Sequence, residues 1–240
     1  MPLKIDRTKY REPLVSRYTS PEMQYIFSEE FKFRTWKDCW IALAEAQHEL
    51  GLKVVTKGMV DELKAHRDVI LYEEAEKKEQ EIRHDVMSHV YAYGLQAPTA
   101  KGIIHLGATS QFVGCNTDLI QMREAMQLVR KKLVNVIHNL ALMADKYKNL
   151  VTVAFTHYQP AQPTTVGKRL TLYIQDLLAD LGTIEHLRFK ARSVRGTTGT
   201  EASYRDLFNG DYEKVKKQIS AAEEEARKNR EYRDQKKRAY

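Results

Sequence analysis

The sequence predicts an all-α fold, an N-terminal helical domain followed by the first long helices of a bundle. Glycine and proline are sparse, 11 and 6 in 240 residues. Apolar side chains recur every three or four positions over long segments instead of alternating strictly, which is the period of a helix and not of a strand. With 42% hydrophobic and 30% charged residues the chain is long enough to bury a core.

From Phe33, the series Trp36, Trp40, Leu43 and Leu50 marks one helix face, and Gly51 is placed to end it. A second helical pattern runs from about Tyr72 to Tyr93 and stops at Gly94. The clearest pattern is Leu119, Met122, Met126, Val129, Leu133, Val136, Leu140, Met143 and Tyr147, a coiled-coil-like seam of unbroken three- and four-residue steps. A partner helix follows from Thr164 with Leu170, Ile174, Leu177, Leu181, Ile184 and Leu187. Two such helices bury little of their apolar faces alone, so they call for further helices from this chain or from other copies.

Three stretches rich in small polar residues read as loops: Lys101 to Asn116, Thr156 to Thr165 and Arg195 to Ser203. The middle one follows a short apolar run, Leu150 to Phe155, and its prolines at 160 and 163 stop any helix from running through. His157 is therefore presented by a turn or loop. From Asp211 to Tyr240 seventeen of thirty residues are charged, with Val215 and Ile219 the only large aliphatics, so an isolated or frayed helix is expected there.

Cys39 and Cys115 lie far apart without metal-ligand spacing, which gives no disulfide framework or zinc site and suits a reducing compartment. The N-terminus has no apolar signal region and no 18-residue apolar run occurs, so a cytoplasmic, soluble protein without membrane association is expected. The net charge of +7 is not gathered into a basic-aromatic block. An anionic small molecule suits it as well as a polynucleotide.

Four segments carry candidate chemistry. In Arg83-His84-Asp85-Val86-Met87-Ser88-His89 the two histidines are five apart and point about 140° away from each other on a helix, which argues against a metal pair. Arg83 with His84 reads instead as an anion clamp, or as a surface charge cluster near a helix end. Thr109 and Ser110, after Gly102-Ile103-Ile104-His105-Leu106-Gly107-Ala108, offer hydroxyls and amides for a carboxylate; helix capping explains them equally well. Arg195-Gly196-Thr197-Thr198-Gly199-Thr200 is an anion-loop candidate without nucleotide P-loop spacing, and plain turn chemistry accounts for it too. His157 is a proton-transfer candidate, since histidine is a residue type suited to giving or taking a proton, or a structural histidine. The absence of a Gly-x-Ser-x-Gly or dinucleotide fingerprint weighs against hydrolase and dehydrogenase readings.

Together with Ser16-Arg17-Tyr18, these segments resemble, in order and spacing, the adenylosuccinate lyases of the fumarase and aspartase superfamily. The resemblance covers roughly residues 10 to 215. It implies a lyase-type bundle, with an N-terminal helical domain over 1–111 and a partial central bundle over 112–240, of which 211–240 is a divergent tail. It implies β-elimination of fumarate from adenylosuccinate and from succinylated aminoimidazole carboxamide ribotide in purine biosynthesis. His157 matches the general acid and His84 a second active-site histidine. Arg17, Tyr18, Arg83 and Asp85 match nucleotide and phosphate positions, Thr109 and Ser110 match succinyl contacts, and Thr156, next to the acid, is a further substrate-binding position. No metal or organic cofactor is implied; the partners are a purine nucleotide substrate and, as a homotetramer, further copies of the chain.

The resemblance has one gap. The expected base is a serine in a Ser-Ser-x-Met-Pro-x-Lys-x-Asn-Pro loop, which these 240 residues do not contain. An incomplete form with little activity by itself is expected. Argininosuccinate lyase or fumarase chemistry, a catalytically inactive helical protein that docks on a complete lyase, and a basic nucleic-acid binder are the alternatives.

Overall fold

A computed structural model describes residues 12–192, 196–211, 213, 214 and 217. The chain divides into two compact units, one of 1–121 with 190–240 and one of 122–189. Of the charged tail only Asp211, Glu213, Lys214 and Lys217 are described, and Arg195 of the third loop also lies outside the described residues. No helix among the described residues is long and apolar enough to cross a membrane.

The first unit opens with a π-helical turn, Leu14–Tyr18, followed by helices α1 (Pro21–Ile26), α2 (Glu29–Glu49) and α3 (Lys57–Ala65). Each of these three helices starts on a hydroxyl cap: Ser20 accepts from Met23 N, Ser28 from Phe31 N and Thr56 from Met59 N. The apolar stripe of α2 lies inside, with Trp36 and Trp40 each 1% exposed. Truncating either to alanine would cost about 3–5 kcal/mol. Beyond the end of α2, Gly51 takes φ +79°, the left-handed conformation that glycine adopts without penalty.

The segment expected as one helix from Tyr72 to Tyr93 is two, α4 (Tyr72–Ile82) and α5 (Asp85–Gln96). Arg83 turns the chain at φ +53°, and His84 caps α5. No glycine or proline marks this break, so periodicity ran straight across it. Gly94 lies inside α5 and does not end it. A Cβ there would stand 2.7 Å from Lys101 Cγ, so its smallness admits the Lys101 stem.

Helix α6 (Ser110–Lys146) begins earlier than expected, taking Gln111 to Asn116 out of the proposed loop and into its first turns. Phe112 and Val113 join the core with Leu43, Leu63, Tyr93, Ile104 and two residues from after position 190, Tyr204 and Phe208. The Tyr93 hydroxyl donates to Leu63 O at 2.6 Å. Buried Lys37 donates to His66 O, Val69 O and Gln96 Oε1, and its nitrogen lies 4.0 Å from the centre of the Tyr93 ring. Burial lowers its pKa to about 8.

The second unit holds the C-terminal part of α6, a two-stranded antiparallel hairpin and α7 (Val166–His186). The hairpin corrects the loop expected from Thr156 to Thr165: β1 is Val151–Thr156 and β2 is Gln159–Thr165. Pro160 and Pro163 fit because both strands of a two-stranded sheet are edges, where a residue without an N–H is tolerated. A register shift between Ala154 and Phe155 takes up one extra residue opposite. Helix α7 starts on Thr165, whose Oγ1 accepts from Lys168 N at 3.1 Å, and Arg130 of α6 pairs with Glu185 of α7 at 2.6 Å. Along the α6 seam every seventh residue, Met122, Val129, Val136 and Met143, is exposed, while Leu119, Met126, Leu133, Leu140 and Tyr147 are half-buried.

Candidate functional site

In the first unit the break between α4 and α5 presents Arg83, His84 and Asp85 in succession. A non-glycine residue in the left-handed region costs about 1–2 kcal/mol, so the turn at Arg83 is strained. His84 Nδ1 accepts from Met87 N at 3.3 Å and lies 3.7 Å from Asp85 Oδ1. Asp85 in the first turn of α5 is favoured there by the helix dipole.

The loop that leads into α6 carries a second imidazole in the neighbourhood of His84, that of His105. His105 Nδ1 accepts a 2.8 Å hydrogen bond from Trp40 Nε1, which leaves the proton of the neutral ring on Nε2. Burial pushes the His105 pKa down to about 4, and nearby His84 acts in the same direction. His105 is thus held as a neutral donor. Sequence reading passed over it as part of the Gly102 to Ser110 segment. Its partner Trp40, sixty-five residues away, gives no local sign.

His89 is half-buried against the aromatic residues of α2. Its ring stacks on Phe33 with centroids 3.8 Å apart, and burial, helped by Lys32, lowers its pKa to about 4. Among the described residues no group of three His, Cys, Asp or Glu side chains could hold a metal ion. The Cys39 thiol is pushed up to about 12 by burial and stays protonated.

Thr109 and Ser110 stand where the loop becomes α6, and Phe112 N donates to Thr109 O at 2.9 Å. Gly107, at φ +75°, packs beneath α8 (Ala202–Leu207): a Cβ on it would lie 2.7 Å from Leu207 Cδ1 and 3.2 Å from Tyr204 Cε1. Gly196 to Thr200 closes as a tight exposed turn, with Gly196 N donating to Thr200 O at 2.7 Å and Thr198 and Thr200 hydroxyls 3.2 Å apart. The same unit therefore holds the Arg83 to Asp85 break, the Thr109-Ser110 hydroxyls and the Gly196 to Thr200 turn. Arg17 and Tyr18 are exposed on the π-helical turn, and no hydrogen bond among the described residues ties them to Arg83, His84 or Asp85.

In the second unit His157 and Tyr158 form the two-residue tip of the hairpin, at φ +49° and +61°. Two consecutive positive φ values define the turn whose twist matches paired strands. Thr156, the last residue of β1, pairs with Gln159. The His157 ring is exposed at the apex of the hairpin, with Tyr158 fully exposed beside it.

A protein family described as Lyase matches residues 16–235. The chain is 51% identical over 214 residues to an adenylosuccinate lyase of Schizosaccharomyces pombe, covering 88% of the chain and 44% of that protein. It is 49% identical over 214 residues to an adenylosuccinate lyase of Saccharomyces cerevisiae, with the same coverage. In fold it matches the 3-carboxy-cis,cis-muconate lactonizing enzyme of Pseudomonas putida, with a TM-score of 0.76 at 24% identity over 89% of the chain and 49% of that structure. The chain spans less than half the length of these curated relatives.

Proposed function

The chain belongs to the lyase family, and on that premise we propose that it is the N-terminal part of an adenylosuccinate lyase that acts by β-elimination. One observation carries the reading: 51% identity over 88% of the chain to a protein of that name. A base removes a proton from the succinyl carbon, the C–N bond breaks, and an acid protonates the departing nitrogen, giving fumarate and the amino purine nucleotide. The succinylated carboxamide ribotide undergoes the same cleavage.

His157 is the proposed general acid. Its exposure suits transfer to a bound substrate, and the turn backbone fixes where the ring starts. His84 is the proposed second active-site histidine, a partner for substrate oxygens through Nε2 while Nδ1 caps α5. Arg17, Tyr18, Arg83 and Asp85 are assigned to the nucleotide and its phosphate, Thr109 and Ser110 to the succinyl carboxylates, and Thr156 to substrate binding beside the acid. Backbone amides and hydroxyls at the start of α6 favour an anion by charge and dipole.

The base is assigned to a serine loop outside these 240 residues. A homotetramer in the cytoplasm is proposed as well; the exposed apolar column Met122, Val129, Val136 and Met143 is surface that further copies of the chain would cover. The test is fumarate release, followed by absorbance, from adenylosuccinate, argininosuccinate and malate. A polypeptide that carries both this chain and the serine loop should release fumarate from adenylosuccinate, and the 240 residues alone should release little or none. Preference for argininosuccinate or malate would refute the substrate assignment.

A further inference from the structure

The side chain of Asn116 forms a two-bond bridge to the backbone of a residue 76 positions away. Arg192 N donates to Asn116 Oδ1 at 2.8 Å, and Asn116 Nδ2 donates to Arg192 O at 3.1 Å. Nδ2 also donates to Phe112 O, one turn back on α6, at 2.8 Å. This is the hydrogen-bond pattern of a strand partner supplied by an amide side chain. It needs a donor and an acceptor in one plane, which among small side chains only asparagine offers. Asn116 is 6% exposed, so its polar atoms have left water and depend on these bonds. The Arg192 guanidinium adds a bond to the neighbouring Cys115, Nη1 to Sγ at 3.3 Å.

A helix does not require this residue at this place. Asparagine is a mediocre helix former, and its bond to Phe112 O duplicates an acceptor the helix already uses. What the side chain adds is a fixed point for the chain at Arg192, just ahead of the Gly196 to Thr200 turn. On the far side of that turn a second fixed point follows, Tyr204 buried against Gly107. Both anchors attach to one continuous stretch, Gly107 to Asn116, and that stretch contains Thr109 and Ser110.

We propose that Asn116 is a positioning residue which, through Arg192, sets the Gly196 to Thr200 turn relative to the Thr109-Ser110 hydroxyls. This rests on the reading of those two segments as anion-binding parts of the lyase site. Asn116 touches no substrate in this account; it acts through the backbone it holds.

Amide exchange in the 240-residue chain, read by NMR for the wild type, Asn116→Ala and Asn116→Asp, tests it. In Asn116→Ala the amides of Arg192, Gly196 and Gly199 should exchange about tenfold faster or more, the scale expected for loss of a net hydrogen bond or two. Amides of α2 and α5 should keep their wild-type rates. Asn116→Asp retains the acceptor for Arg192 N but sets a carboxylate oxygen against Phe112 O and Arg192 O, so the same amides should exchange at least as fast as in Asn116→Ala. Unchanged rates at Gly196 and Gly199 would overturn the proposal, and so would an equal rise across α2 and α5, which would mean general loosening. Titration of the wild type with adenylosuccinate tests the underlying reading separately: if no shift appears at Thr109, Ser110 or 196–200, the anion assignment fails while the exchange result still decides the role of Asn116.

Discussion

Trp40 donates its indole N–H to His105 Nδ1 at 2.8 Å, fixing a neutral imidazole beside His84. His105 and His89 both have pKa values lowered to about 4 by burial. Between that value and the ordinary 6.5 the unfolded chain binds two protons that the folded chain refuses, so stability falls as pH drops through this window. The loss should be on the order of 2 kcal/mol per ring. His105→Asn keeps an acceptor for Trp40 and removes one ionisation. Urea unfolding at pH 7 and at pH 4.5 should then show about half the wild-type acid loss, and an unaltered loss would contradict burial of a neutral His105.

The hairpin tip allows conformation and chemistry at His157 to be separated. Asparagine tolerates positive φ, so His157→Asn should leave urea unfolding unchanged, whereas β-branched His157→Val should cost about 1–2 kcal/mol. Both should abolish most turnover in a polypeptide carrying the serine loop, lowering kcat far more than they raise KM. Equal effects on kcat and KM in His157→Asn would argue against an acid.

Tyr204 is fully buried, yet its hydroxyl has no hydrogen-bond partner among the described residues. Burial raises its pKa, so it stays a neutral phenol. Tyr204→Phe removes an unsatisfied polar atom and should be neutral or stabilising by up to about 1 kcal/mol. Gly107→Ala, on the opposite side of the same contact, should destabilise by about 2 kcal/mol or more, since it combines a positive φ with a Cβ driven into Leu207. Thermal unfolding of both variants checks the pair. A clear loss in Tyr204→Phe would reveal a partner for the hydroxyl.

Gly167 marks the closest approach in the second unit. A Cβ there would collide with Ala144 O and stand 2.7 Å from Lys148 Cα, both backbone atoms that cannot turn aside. Gly167→Ala should therefore destabilise the second unit by about 3 kcal/mol or more, whereas Gly182→Ala, inside α7 with open space around it, should stabilise by about 0.5–1 kcal/mol. Chemical unfolding of the two variants should show opposite signs.

Helix α2 was legible because it buries one stripe, and a stripe is written into spacing: Trp36, Trp40 and Leu43 fall on one face of α2 and Gly51 follows its end; α6 and α7 carry the same spacing on stripes that are half-buried or exposed. The turn at Arg83 was not legible, because the residue that leaves the helix has no special backbone freedom; surrounding structure and the His84 cap impose it. The hairpin was hidden by its own prolines, which exclude helices and central strands but not the edges of a two-stranded ribbon. In the candidate site, His84, Thr109, Ser110 and His157 could be picked out by residue type and neighbours. His105 and Asn116 could not, since what distinguishes them is a partner 65 or 76 residues away.

His84 holds a helix end with the same nitrogen that a ligand or a proton could take. While Nδ1 accepts from Met87 N, the proton of the neutral ring is on Nε2, which is left as a donor. A proton arriving at Nδ1 must evict the cap. Occupancy at this one atom is therefore recorded as fraying or tightening of the first turn of α5, so the helix end can serve as a spectator gauge: the Met87 amide reports which tautomer His84 holds, with no need to observe the ring itself.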